Sequence, residues 1–98
     1  MRIIARKTLR DFWEQRGHRD AEQPLRAWFK LVSEADWDGP TAVKAQFRHA
    51  SFVQNRVVFN IAGNKYRLVA HINYPYRVVY VRFVGTHRQY DAIDVAEV

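Results

Sequence analysis

Residues Arg56 to Asp91 read RVVFNIAGNKYRLVAHINYPYRVVYVRFVGTHRQYD, and their alternation decides the fold. Val57–Ala62 and Tyr66–Tyr74 flank Gly63-Asn64, a turn pair that accepts positive φ. With that pair at the tip, Ile61 faces Tyr66, Phe59 faces Leu68 and Val57 faces Ala70. The register collects Val57, Phe59, Ile61, Tyr66, Leu68, Ala70 and Ile72 on one apolar face. Arg56, Val58, Asn60, Arg67, Val69 and His71 fall on the other. The next turn, Tyr74-Pro75-Tyr76-Arg77, contains a proline that cannot take positive φ, so a four-residue loop pairing Asn73 with Val78 is expected. Val79, Val81 and Phe83 then extend the apolar face, and Tyr80, Arg82 and Val84 the opposite one.

Charge divides the two faces further. Between Asp38 and Asp91 there is no Asp or Glu, whereas Lys44, Arg48, Arg56, Lys65, Arg67, Arg77, Arg82 and Arg88 all lie there. The open face therefore presents Arg56, Asn60, Arg67, His71, Tyr80 and Arg82 with no carboxylate. An ordinary solvated face mixes both signs; this one reads as an anion-binding surface. The formal net charge of +6 points the same way, to a polyanionic partner. After the last strand, Thr86 and Gln89 fit a capping box, so a short helix is expected to begin at His87. Its N–H groups would offer a phosphate site beside the basic face, with His87, Arg88 and Tyr90 close by.

The first half supplies helices to cover the apolar face. Ala5–Arg16 has Leu9, Phe12 and Trp13 at helical spacing and Gly17 to end it. Arg2-Ile3-Ile4 before it suits a short edge strand. Asp20 is placed to cap a second helix, with Gln23 as box partner and Leu25, Trp28, Phe29 and Val32 as its apolar stripe. Pro40 suits the first position of a third helix with Val43 and Phe47 facing inward, and His49-Ala50-Ser51 reads as a turn.

Ninety-eight residues fit one small domain of α+β class. The chain has no cysteine, which excludes disulfides and thiolate metal sites and fits a cytoplasmic location. No apolar run approaches a membrane span, and no secretory leader is expected. The four histidines show no ligand spacing and no carboxylate joins the basic stretch, so neither a metal nor another cofactor is expected.

The run Val58-Phe59-Asn60, Gly63-Asn64, Arg67-Leu68-Val69-Ala70, then Tyr80-Val81-Arg82, Thr86-His87 and Tyr90-Asp91 resembles the HigB toxins, a branch of the RelE-like toxins of type II toxin–antitoxin systems. The likeness covers the C-terminal half closely; the N-terminal helices match in order, length and basic character. It implies a RelE-like fold, N-terminal helices packed on a small twisted antiparallel sheet. It also implies an mRNA endonuclease acting on the ribosome and restrained by a HigA-like helix-turn-helix antitoxin. Carried over, the catalytic positions are His87, Arg67, Arg82 and Tyr90, and the RNA-binding ones Lys65, Asn60, Arg56, His71, Arg88 and Asp91.

These residue types suit RNA cleavage. A histidine titrates near neutrality and can move protons. Arginines keep their charge and can stabilise a phosphorane. Two readings of Asp91 stand: it orients His87 or an arginine, or it caps the short helix. Two other functions stand beside the nuclease: a toxin of the same fold acting on DNA gyrase, and a non-catalytic RNA-binding module.

Overall fold

A computed structural model describes residues 1–98. The chain forms β1 (Arg2–Ile4), α1 (Arg6–Trp13), a 3-10 turn (Arg19–Ala21), α2 (Glu22–Ser33), α3 (Pro40–Gln46), β2 (Ser51–Val53), β3 (Arg56–Ile61), β4 (Tyr66–Asn73), β5 (Val78–Thr86) and α4 (His87–Asp91). One sheet holds the strands in the order β1-β5-β4-β3-β2. The β2-β3-β4-β5 part is an antiparallel meander; β1 joins the far edge parallel to β5, which makes the expected antiparallel sheet mixed. The architecture is α+β, with α1, α2 and α3 packed on one face of the sheet and α4 at its end.

The hairpin register follows the alternation: Val57 pairs with Ala70, Phe59 with Leu68 and Ile61 with Tyr66. Asn73 pairs with Val78 across the four-residue loop, where Arg77 takes the left-handed conformation at φ 57°. At the first tip the positive φ values fall on Ala62 and Gly63, not on Gly63 and Asn64. Asn64 is then free to use its side chain elsewhere.

The alternation fails at one point. Ala70 pairs with Val81 but Val69 pairs with Phe83, so Arg82 is an extra residue in a β-bulge. The bulge reverses the parity of β5 beyond it. Val81 and Val84, three residues apart, both pack on the core, while Phe83 turns to the opposite face. Phe83 and Val84 thus exchange the faces that strict alternation assigns them.

Packing explains the helix boundaries. Leu9, Phe12 and Trp13 of α1 and Leu25, Trp28 and Val32 of α2 are buried against the apolar sheet face. Phe59 is the hub: Trp28 and Phe47 meet its ring edge-on at centroid distances of 5.4 and 5.1 Å, and Trp37 stacks at 6.3 Å. α1 starts one residue later than expected and ends at Trp13 rather than Arg16, because the chain folds back there. The His18 ring stacks on Phe12 at 4.3 Å, and Gly17 supplies the left-handed residue at φ 87°. Pro40 opens α3 as expected. Ser51, read as part of a turn, instead begins β2. The Gln54-Asn55 turn, with Gln54 at φ 53°, returns the chain into β3.

The face opposite the helices is not bare. Val58 and Val69 point to it and are 3% and 0% exposed. The segment after α4 reaches this face at Arg56. Ile93, Val95, Ala96 and Val98 are half-buried, and the Arg56 guanidinium holds the Val98 carbonyl through Nε at 3.0 Å and a terminal nitrogen at 2.7 Å. No helix is long and apolar enough to cross a membrane.

Candidate functional site

The end of the sheet where β4 begins and β5 ends carries a compact group of side chains. Thr86 Oγ1 accepts from the Gln89 N–H at 3.1 Å and Gln89 Oε1 accepts from the Thr86 N–H at 2.8 Å, the capping box expected from sequence. The His87 N–H donates to the Lys65 carbonyl at 3.2 Å, which ties α4 to the hairpin tip. These bonds close the helix start, so it is not the open phosphate cradle that its sequence suggests. They fix the His87 backbone instead.

One helical turn along, Asp91 Oδ2 lies 3.0 Å from His87 Nδ1, and both side chains are about half exposed. An ionised carboxylate can only accept a hydrogen bond. Nδ1 therefore donates to the carboxylate, which leaves Nε2 as the ring nitrogen turned away from Asp91. Asp91 pairs with His87 and does not cap the helix.

Arg67 lies across from Gly85 of β5 and Asn60 of β3. It is 9% exposed, and both of its terminal nitrogens are bonded. One terminal nitrogen donates to the Asn64 and Tyr66 carbonyls at 3.1 and 3.2 Å, the other to Asn64 Oδ1. Its guanidinium carbon sits 5.9 Å from the centre of the Tyr90 ring, a cation–π arrangement. Arg67 thus joins the hairpin tip to α4. Gly85, across from Arg67, makes room for the Phe83 ring and the capping-box side chain of Gln89. A Cβ there would stand 2.4 Å from Phe83 Cζ and 2.9 Å from Gln89 Oε1.

Lys65 is ion-paired with Asp20, whose carboxylate also accepts from the Tyr66 hydroxyl. Asp20 does not cap α2; it lies in the 3-10 turn and Ala21 precedes the helix. The Lys65 bond, then the Tyr66 bond, hold the Asp20 carboxyl below its usual range, and Asp20 raises the Lys65 ammonium in return. Burial, followed by Asp20, pushes the Tyr66 phenol up.

Arg56, His71, Tyr80 and Arg82 form a second group on the same face. His71 pairs with Tyr80, their rings 6.2 Å apart, and the Arg82 guanidinium carbon lies 5.5 Å from the Tyr80 ring centre. Burial first, then the charges of Arg56 and Arg82, lower the His71 pKa. Arg82 is exposed and has no hydrogen-bond or ion-pair partner, whereas Arg56 is occupied by Val98. The two groups are distinct: Arg67 and His71 are four residues apart on β4, roughly 13 Å. Arg88 is exposed on α4. No three His, Cys, Asp or Glu side chains come together in a way that could hold a metal.

Sequence reasoning missed three parts of this arrangement. Asp20 joins the site from the first half of the chain, a long-range pairing with no local signal. Asn64 was assigned only to the turn, although its three-residue spacing from Arg67 is the signal of the bond they make. The placing of Phe83 and Gly85 on the face of Arg67 depends on the bulge.

Residues 21–93 match the sequence profile of the HigB toxins, described as a RelE-like toxic component of a toxin–antitoxin system. The chain belongs to the HigB toxin family. Among HigB proteins, the mRNA interferase toxin HigB of Escherichia coli K12 is 30% identical over 94 residues, covering 93% of this chain and 88% of that protein. The mRNA interferase HigB of Shigella flexneri matches to the same extent. That of Escherichia coli O6:H1 strain CFT073 is 24% identical over 72 residues, 70% of each chain. The HigB profile spans α2 to α4, so it includes Asp20's partners Lys65 and Tyr66, the Arg67–Tyr90 junction and the His87–Asp91 pair.

Proposed function

We propose that this chain is an mRNA interferase, a toxin that cuts messenger RNA and so halts translation. The observation that carries the reading is the His87–Asp91 pair set on α4 beside Arg67 and Tyr90. RNA brings its own nucleophile, the ribose 2′-OH. His87 Nε2 takes the 2′-OH proton as the oxygen attacks the adjacent phosphorus. The bond from phosphorus to the 5′ oxygen breaks and that oxygen takes a proton from solvent water, while the imidazolium returns its proton to solvent. One fragment ends in a 2′,3′-cyclic phosphate and the other in a 5′-OH. Asp91 holds the imidazole tautomer and stabilises the imidazolium that forms, as a carboxylate does for a hydrolase histidine.

The two arginines divide their work. Arg67 is bound on several sides, so it supports the site from beneath and lends its charge to the phosphorane. Arg82 is a free guanidinium, but five residues of strand, roughly 15 Å, separate it from His87. It therefore grips a neighbouring phosphate and positions the RNA. Tyr90 acts through its ring, which holds Arg67. Lys65, Asn60 and Arg88 flank the site at its exposed rim, and His71 lies beside Arg82.

The reading extends to messages held on the ribosome, to a cytoplasmic site of action, and to an acidic HigA-type helix-turn-helix antitoxin. The +6 charge supports a polyanionic target and an acidic inhibitor alike. A translation reaction with a labelled message tests the proposal. The expected products carry a 2′,3′-cyclic phosphate and a 5′-OH. An intact message, together with trapped DNA gyrase, would overturn it.

A further inference from the structure

β2 covers the outer edge of β3 only along Arg56–Val58. Beyond it, Phe59 to Ile61 have no strand neighbour on that side. A cleft of about 440 Å³ opens there, between the Gln46–Ala50 segment and Phe59, Asn60 and Gly63. Its floor is apolar: Phe47, Ala50 and Phe59. Its rim is polar and carries no carboxylate.

Each rim residue is held or free in a way that suits a ligand. Gln46 Oε1 accepts from Trp37 Nε1 at 3.0 Å, which fixes the side chain and leaves its NH₂ to donate. The Lys44 ammonium holds the Ala50 carbonyl at 2.6 Å and so braces the segment. Arg48 and His49 are exposed, and neither has a hydrogen-bond or ion-pair partner; Asn60 is exposed as well. Asn60 pairs with Arg67 on β4, and the next strand position beyond is Gly85. The cleft therefore lies across the sheet from the His87–Asp91 pair, on the order of two strand spacings, about 10 Å, from the end of β5.

From this geometry we infer that the cleft is a subsite for one unstacked nucleotide of single-stranded RNA flanking the cut, with Arg48 on its phosphate and His49, Gln46 and Asn60 on its base. The inference rests on the mRNA interferase reading. Single-stranded RNA is bound in this manner: bases splayed from the strand stack on flat side chains and bond along their edges, while cations hold the backbone. The half-buried Phe47 ring offers the flat surface, and the amides, the imidazole and the guanidinium around it supply the edge and backbone contacts.

The test uses full-length protein carrying His87→Ala, so that RNA is bound and not cut, and a fluorescent single-stranded RNA decamer. Arg48→Ala and His49→Ala break no hydrogen bond or ion pair and both side chains are exposed, so both are expected to keep the parent melting temperature. Arg48→Ala is expected to weaken binding and to lower the slope of log affinity against log salt by about one. His49→Ala is expected to weaken binding with the slope unchanged. Lys30→Ala on the outer face of α2 is the charge-matched control and should leave affinity intact. Unchanged affinity in both cleft variants, or an equal loss in Lys30→Ala, would overturn the subsite. The mRNA interferase reading fails separately, if protein with His87 intact leaves messages whole.

Discussion

The Asp91 carboxylate meets His87 Nδ1 at 3.0 Å across one turn of α4, and this contact decides which ring nitrogen is available for chemistry. Asp91→Asn tests it. The amide can turn its NH₂ toward Nδ1 and reverse the tautomer, leaving the hydrogen on Nε2. Message cleavage under single-turnover conditions should fall about 10²-fold or more, the usual scale for a mispositioned acid–base group. The melting temperature should stay unchanged, because both side chains are half exposed. Full activity in Asp91→Asn would remove the pair from the mechanism.

Arg67 and Arg82 should separate cleanly. Arg67→Ala leaves two backbone carbonyls and the Asn64 side chain without their donor, and each buried group left unpaired costs about 1–3 kcal/mol. Urea unfolding should show that loss together with reduced cleavage. Arg82→Ala breaks no hydrogen bond, so its stability should stay within about 0.5 kcal/mol of the parent. RNA affinity should fall instead. Equal stability losses in the two variants would contradict the assignment.

Gly85→Ala probes the close approach beneath α4. The added methyl would meet the Phe83 ring at 2.4 Å and the capping-box oxygen of Gln89 at 2.9 Å. The ring or the helix start must move, and His87 moves with the latter. Cleavage should drop with only modest loss of stability, since Phe83 can swing toward solvent. Gly85→Ala with unaltered activity would show that α4 tolerates the shift.

His71 gives a pH dependence whose sign follows from its surroundings. Burial, Arg56 and Arg82 lower its pKa in the folded protein from the usual 6.5. The unfolded chain therefore binds the proton first. Stability is complete above about pH 6.5 and falls as the pH drops through the folded pKa. Melting temperatures measured between pH 8 and pH 5 should decline on the acid side, and less so in His71→Gln. A decline of the same size in His71→Gln would assign it to other groups.

Much of the fold was legible because the strands alternate and both hairpin turns announce themselves. Phe59 opposite Leu68 and Asn73 opposite Val78 follow from turn chemistry and parity alone. The Thr86–Gln89 capping box was legible for the same reason, being a local bond between residues three apart. The bulge at Arg82 was not. Valine, arginine and phenylalanine there read as unbroken alternation, and only the packing of Val81 and Val84 together on the core exposes the extra residue. Asp20 misled in the opposite direction. It has the right residue type for a cap, but Lys65 and Tyr66 compete for its carboxylate across the fold. The basic face was legible as charge but not as geometry. Val98 folded onto Arg56, and Arg67 buried against Asn64, leave Arg82 as the free guanidinium of the three.

The most direct measurement is to induce the wild-type protein and its His87→Ala variant at equal levels in bacteria and map the 5′ ends of cellular messages. The wild type is expected to stop growth and create new 5′-OH ends within coding sequences. The His87→Ala protein, folded to the same melting temperature, is expected to create none. New message ends at wild-type frequency in His87→Ala would contradict the account.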